Sequence, residues 1–284
     1  MATQPQRENF AKTSLRKLYE HQMKDQLHRH IEVDKTPKRI ISLVPSQTEL
    51  LVDLGLESSI VGMTKFCVHP IHLKEEKVIV GGTKQVHFDR IIDLKPDIIL
   101  CNKEENTKEM IQELEKIATV HISDIYTIGD TLDLIKLYGI LFSKEDVATV
   151  LINNISEKIS DFEDFIKDRP KKTAAYFIWK DPWMVAAKDN FIDELLRLNG
   201  LENYFGHLSR YPEVVLDASL PENAELVLLS SEPFPFKEEH IQEIRPFFPK
   251  ATIQVVDGEM FSWYGSRLLK AFDYFKTLHQ HQWS

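Results

Sequence analysis

Residues 144–169, "KEDVATVLINNISEKISDFEDFIKDR", run without a glycine or a proline. Apolar residues at Val147, Val150, Leu151, Ile155, Ile159, Phe162 and Ile166 recur at helical spacing, so the stretch predicts one helix. At 1.5 Å rise per residue that helix is about 39 Å long, more than a sheet-crossing helix needs. Ser143 with Asp146 three residues on predicts a capping box at its start, and Pro170 stops it. We read residues 143–169 as a strut joining two bodies.

The chain on either side of the strut supports that division. On the N-terminal side "RIISLV" (39–44) reads as a strand, followed by Pro45 and a helix opening at Ser46 or Gln47 that ends at Gly55. Further strands are "SIVGM" (59–63), "VIVGG" (78–82), "IILC" (98–101) and "TVHIS", with "FDRIIDL" and "TKEMIQELEKI" (107–117) as helices. Strands alternating with helices predict a mostly parallel sheet. Beyond the strut the order repeats. "KTAAYFIW" matches "KRIISLV", "FIDELLRLNGLEN" matches "TELLVDLGLES", "SLPENAELVLLSS" matches "DLKPDIILCNK", and "EEHIQEIRPFFPKATIQVVD" matches "TKEMIQELEKIATVHISD". The expected fold class is α/β, with two Rossmann-like lobes joined by a single long backbone helix and a ligand cleft between the lobes. The expected boundaries are an N-terminal arm over 1–37, helical or frayed, an N-terminal lobe over 38–142, the linking helix over 143–169 and a C-terminal lobe over 170–284.

The totals exclude several function classes. Hydrophobic residues at 43% and charged ones at 28% of 284 are ordinary for a soluble globular protein. A formal charge of −9 argues against a general nucleic-acid binder and gives no reason for attraction to anionic membranes. Two cysteines, Cys67 and Cys101, do not make a disulfide scaffold. No run approaches the roughly 18 apolar residues of a transmembrane helix. The first thirty residues lack the apolar stretch of about 7–15 residues that a secretory signal requires, so the chain as written is expected in the cytoplasm, as a monomer. Gly81-Gly82 does not complete G-x-G-x-x-G, and no G-x-x-x-x-G-K-[ST], G-x-S-x-G or H-E-x-x-H is present.

In open α/β sheets ligands sit beyond the carboxyl ends of the strands. Those ends are Val44-Pro45-Ser46, "TKFCVHP" (64–70), "GGTKQVHF" (81–88), "WKDPWM" (179–184), "SSEPFPF" (230–236) and "DGEMFSWYGSR" (257–267). They carry every tryptophan except Trp283, together with Phe66, Tyr264, Lys65, Lys84 and Arg267. Aromatic walls with a few cations and hydroxyls suit a large, flat, partly anionic ligand. Trp179 and Trp183 bracket a Lys-Asp-Pro corner and are read as facing the cleft; the alternative is that both pack under a helix. Lys84, Arg267 and the hydroxyls of Ser46 and Thr83 are expected to orient the ligand. Lys84 is equally an exposed turn lysine, and Arg267 equally the partner of Glu259 or Asp257. Cys67 and His69 form a C-x-H pair with His72 three further on, either metal ligands or a small buried thiol beside a surface imidazole. The pairs His28/His30 and His279/His281 are read as solvated, and Glu49 with Asp53 as a solvated or partner-facing helix face.

The strut together with "RIISLVPSQTELLVDLGL", "GGTKQVHFDRIIDLKPDIIL", "IWKDPWMVAAKDNFIDELLRLNGLENYF" and "FSWYGSRLLKAF" resembles the helical-backbone (class III) solute-binding proteins of vitamin B12 and iron-siderophore ABC importers. The resemblance covers residues 38 to 278, and "IWKDPW" with "FSWYGSR" places it nearer the B12-binding branch. It implies a periplasmic or lipid-anchored protein with no cofactor of its own. Such a protein captures cobalamin or an iron chelate as ligand and delivers it to an ABC permease. It implies aromatic cover of the ligand by Phe66, Trp179, Tyr211, Trp263 and Tyr264. Thr83-Lys84 stands where the B12 binders present a tryptophan, which leaves corrinoid, haem-like and siderophore ligands open. Asp89 and Asp217 match the positions of the glutamates that dock on permease arginines. The chain is expected not to be an enzyme; the alternatives are a tetrapyrrole- or metal-handling enzyme and a ligand-free interaction protein on the same scaffold.

Overall fold

The structure, a computed structural model, describes residues 23–217, 223–281 and 283. The arm expected over residues 1–37 lies outside the described residues as far as residue 22. The chain divides into two units, one holding the residues up to Asp124 together with Asp130–Ile152, the other Ile125–Gly129 together with Asn153 onward.

In the first unit, strands β1 (Ile40–Ser42), β2 (Ile60–Thr64), β3 (Val78–Gly81), β4 (Ile98–Asn102) and β5 (Thr119–Ser123) form a wholly parallel sheet in the order β3-β2-β1-β4-β5. Both β1 and β4 are buried at every position, as a sheet covered on both faces requires. The chain winds outward from β1 to β3, then returns to the other side of β1 for β4 and β5. That reversal makes the β1/β4 gap the topological switch point. Helix α1 (Pro45–Asp53) leaves β1, one residue earlier than expected, with Pro45 in its first turn behind an extended Val44. Gly55 at φ +71° follows its end, the backbone conformation a terminating glycine supplies. Helices α2 (Leu73–Glu76), α3 (Phe88–Leu94) and α4 (Lys108–Leu114) complete the crossovers, and the core gathers Ile41, Leu43, Ile91, Ile99, Met110 and Leu114.

The arm is neither helical nor frayed where it is described. Residues 23–31 fold over the outer edge of β5. Gln26 N donates to Ile122 O (3.3 Å), Ile122 N to Asp25 Oδ2 (3.3 Å), Asp124 N to Gln26 Oε1 (3.2 Å) and Arg29 Nη2 to Val120 O (2.9 Å). The unpaired edge of the sheet is thus closed by a strap, which blocks pairing with another strand there. Buried Asp25 locks the strap by accepting from Leu27 N, Arg29 N and Arg29 Nε at 3.0, 2.9 and 2.7 Å.

A helix that the sequence reading left unassigned, α5 (Ile128–Leu141), buries Leu134, Ile135, Tyr138 and Leu141. Helix α6 (Glu145–Ile166) follows, twenty-two residues and so about 33 Å, shorter than the expected strut; it starts in the first unit and ends in the second. The helix starts at Glu145, two residues after Ser143, where the expected capping box at Ser143 would start it one residue earlier. Ser143 has φ +57° and belongs to the end of α5, where Lys144 N donates to Gly139 O at 2.7 Å. A Cβ at Gly139 would stand 2.6 Å from Ala148 Cβ, so two small residues let α5 and α6 touch backbone to backbone.

The second unit repeats the plan. Its central strand β6 (Lys172–Trp179) pairs antiparallel with β7 (Met184–Val185) and parallel with β8 (Leu201–Asn203) and β9 (Leu226–Ser230). Strand β10 (Thr252–Val256) joins the far side of β9 in parallel. Helix α7 (Phe191–Leu198), capped by Asn190 Oδ1 accepting from Asp193 N at 3.0 Å, corresponds to α1. Helix α8 (Glu238–Ile244) corresponds to α4, and α9 (Gly258–Ser262) and α10 (Leu268–His281) close the chain. His279, expected in solvent, is instead buried among the rings of Phe162, Phe165 and Trp283, and burial pushes its pKa down to about 4. No described helix is long and apolar enough to cross a membrane.

Candidate functional site

The strand ends of the first unit bring three loops together. Phe66, in the loop after β2, is 48% exposed, and Lys65 Nζ lies 5.0 Å from its ring centroid. The ring rests on the glycines that end β3: a Cβ at Gly82 would stand 3.1 Å from Phe66 Cε2. Thr83 O accepts from Asn106 Nδ2 at 2.8 Å, and the Lys84 ammonium donates to Glu104 O, so the loops after β3 and β4 are tied to each other. Burial pushes the Glu105 carboxyl upward, with the Lys84 ammonium drawing it the other way. Ser46 is 5% exposed in the first turn of α1.

Beneath these loops is a buried polar network that the sequence reading missed. Gln47 Nε2 donates to Ser123 Oγ (2.6 Å), Tyr138 OH to Gln47 Oε1 (2.7 Å) and Asn102 Nδ2 to Ser123 Oγ (2.9 Å). Asn106 Oδ1 in turn accepts from Asn102 N at 2.8 Å. The network fixes the carboxyl ends of β4 and β5, and its signal is a polar residue closing each of two apolar strands. Glu49, expected on a solvated face, is 5% exposed; Asp53 is exposed. Cys67 Sγ is fully buried between Thr48 Oγ1 (3.0 Å) and Thr64 Oγ1 (3.3 Å), and burial raises its pKa, so it is a packed thiol. Neither Cys67 nor His69 belongs to a group of three or more metal-type ligands among the described residues. Asp89 is exposed in the first turn of α3.

In the second unit Trp179 ends β6 at 39% exposure, edge-on to Phe234 at 5.6 Å. Trp183 is a packing residue: it stacks on Phe236 at 6.0 Å with 8° between planes and meets Phe177 edge-on at 5.7 Å. Tyr211 is half-buried, with the Arg210 guanidinium 5.6 Å from its ring and 5.3 Å from that of Tyr126. Trp263 and Tyr264 are 6% and 7% exposed. Trp263 Nε1 donates to Glu232 Oε1 at 2.8 Å, and Tyr264 meets Phe191 edge-on at 6.1 Å. Of the two roles open to Arg267, the ion pair is formed: Nη1 lies 3.3 Å from Glu259 Oε2, with the guanidinium 4.9 Å from the Trp263 centroid. Glu232 was missed by the sequence reading. Ser262 Oγ also donates to its Oε1 at 2.9 Å, and glycine is required opposite, because a Cβ at Gly258 would stand 2.7 Å from Glu232 Cγ. Asp217 is exposed in the segment leading out of this region.

Residues 40–245 match a family model described as periplasmic binding protein. The chain belongs to the periplasmic binding protein family. This periplasmic binding protein is 25% identical over 213 residues to an ABC transporter substrate-binding lipoprotein of Bacillus subtilis, covering 72% of this chain and 67% of that protein. It is 26% identical over 202 residues to a vitamin B12-binding protein of Vibrio vulnificus, covering 68% and 71%. Among solved structures, the periplasmic vitamin B12-binding protein of Vibrio cholerae superposes with TM-score 0.75 at 18% identity, covering 87% of this chain and 99% of that one. A periplasmic haem-binding protein of Pseudomonas aeruginosa gives 0.75 at 20% identity, covering 85% and 92%. These likenesses show the fold: two parallel-sheet α/β units with one long connecting helix. In this periplasmic binding protein the strand ends offer exposed rings and tethered cations, an arrangement suited to holding a flat molecule by stacking and charge.

Proposed function

We propose that this periplasmic binding protein is the solute-binding component of an ABC-type uptake system, or a derivative of one. Its ligand is a flat, metal-containing molecule, either a corrinoid or a haem-like or iron-siderophore chelate. The observation that carries this reading is the exposure of Phe66 and Trp179 at strand ends, since solvent-exposed large rings at such positions gain from burial under a ligand. Names of relatives point the same way, to vitamin B12 and haem. Phe66, Trp179 and Tyr211 stack on the ligand, while Lys84 and the hydroxyls of Ser46 and Thr83 line its polar edge. Trp183, Trp263, Tyr264 and Arg267 pack within the second unit, against Phe236, Glu232, Phe191 and Glu259. Binding is the whole activity, without catalysis. Asp89 and Asp217 pair with cations of a permease, and the setting is the periplasmic or lipid-anchored one that the family description and the lipoprotein relative suggest.

The test mixes the purified protein separately with cobalamin, haemin and ferric siderophores, following tryptophan emission and the visible spectrum. Saturable quenching with the ligand recovered unchanged is expected for one of them. Phe66→Ala and Trp179→Ala should each weaken that affinity by about 1–3 kcal/mol, whereas Trp183→Phe should not. Conversion of the ligand, or unchanged affinity in both alanine variants, would overturn the proposal.

A further inference from the structure

We propose that Glu57, His72 and Glu76 of the first unit form a binding site for a divalent transition-metal ion of the zinc type. Glu57 opens the 3-10 turn Glu57–Ser59 that leads into β2. His72 stands at the start of the one-turn helix α2 and Glu76 at its end. Four residues apart, they share one face. One donor atom from each of the three side chains lies within 4.8 Å of the other two, and His72 Nε2 already sits 2.9 Å from Glu57 Oε1. The Lys77 ammonium donates to the Glu57 carbonyl at 2.9 Å.

An imidazole nitrogen and two carboxylate oxygens make a donor set for a borderline ion. Zinc takes such ligands at about 2.0–2.2 Å, which sets tetrahedral neighbours roughly 3.3–3.6 Å apart. The His72 and Glu57 side chains are 46% and 38% exposed, which leaves them room to change rotamer toward that distance. Magnesium and calcium prefer six or more oxygen ligands, so the imidazole discriminates against them. Water fills the remaining coordination position. The metal chemistry expected of the loop after β2 thus sits at its far end, at His72, and not at the packed Cys67. An ion there pins the loop carrying Phe66 to the 57–59 turn, and its binding is independent of the ligand proposed above.

The full chain, stripped with a chelator, is titrated with zinc chloride by calorimetry, and its melting temperature is read with and without the ion. One zinc per chain with a rise in melting temperature is expected. His72→Ala and Glu76→Gln should each weaken binding at least tenfold and remove the rise, while Lys74→Ala leaves both unchanged. The residues are on the surface, so the metal-free variants should melt with the parent, and a metal-free loss of folding in both would itself contradict the assignment. Magnesium at the same concentration should not compete. Absence of saturable one-to-one binding, equal binding by His72→Ala and Glu76→Gln, or equal competition by magnesium would overturn the proposal.

Discussion

Glu232→Ala should destabilise the second unit by about 2–3 kcal/mol, and most of that should travel through Trp263. The indole N–H donates to Glu232 Oε1 at 2.8 Å while the residue is only 6% exposed, so no solvent stands ready to replace the acceptor. A hydrogen bond to a charged acceptor contributes about 1.5–3 kcal/mol, and a buried donor left without one costs about 1–3 kcal/mol; these describe one loss and are not summed. Ser262 adds little, because its hydroxyl keeps the Gly258 carbonyl at 2.8 Å. Truncation also opens space beside Gly258, whose absent Cβ leaves the room that Glu232 Cγ now fills. With an m-value of about 2 kcal/mol/M in urea, the unfolding midpoint should fall by roughly 1 M. The decisive assay is a double-mutant cycle with Trp263→Phe, which removes the donor and keeps a ring. A coupling energy of about 1–2 kcal/mol is expected. A coupling near zero would refute the assignment of Glu232 as the group that holds the indole.

Two further outcomes follow from buried groups. Burial holds His121 neutral, its pKa pushed down to about 4 from 6.5, and His279 likewise. Below pH 6.5 the unfolded chain binds protons that the folded chain refuses, so the stability these histidines contribute is complete above pH 6.5 and is lost progressively as pH falls toward 4, up to ~3 kcal/mol each. His121→Phe should flatten that part of the profile, read as urea midpoints at pH 7 and 4.5; an unchanged slope would contradict it. Gly139→Ala, which places a Cβ 2.6 Å from Ala148 Cβ, should cost about 1–3 kcal/mol, recovered in part by Ala148→Gly in a thermal melt.

The repeat was legible because each element kept its own signature: apolar runs for buried strands, glycines at helix ends and a proline or cap at helix starts. Thus β1, β6 and β9 fall within the runs read as strands, and β4 exceeds its run by one residue, Asn102. Helix α5 escaped although Leu134, Ile135, Tyr138 and Leu141 recur at helical spacing, because Gly129 and Gly139 break the propensity that would draw attention to it. Ser143 misled for a related reason. A serine three residues before an acidic side chain serves either as the start of one helix or as the end of another, and only the positive φ decides. Side-chain fate was least legible. Nothing in "FSWYGSR" shows that Glu232, thirty-one positions before Trp263, accepts the indole proton, since that pairing exists only once β9 and α9 are adjacent.

The two units place different chemistry at equivalent points of one topology, and strand length explains why. Strand β1 is three residues long and gives way at once to α1, so its carboxyl end is occupied by a helix turn whose Ser46, Gln47 and Thr48 are buried. Strand β6 is eight residues long and runs on past its partner β9, whose pairing stops at Phe177. Its last residue, Trp179, is supported by β7 through Met184 and by the edge of Phe234. The central strand of the second unit therefore ends in an exposed ring, and that of the first in a polar network. In the first unit the ring is displaced one strand outward, to Phe66 beyond β2, with the Lys65 ammonium over it and Lys84 tethered nearby. In the first unit, stacking combined with positive charge is the complement of a flat molecule with anionic groups along one edge. A ligand without such groups would gain nothing from the Lys65 ammonium, so under the proposed function the neutral members of the candidate set should bind more weakly than the carboxylate- or phosphate-bearing ones.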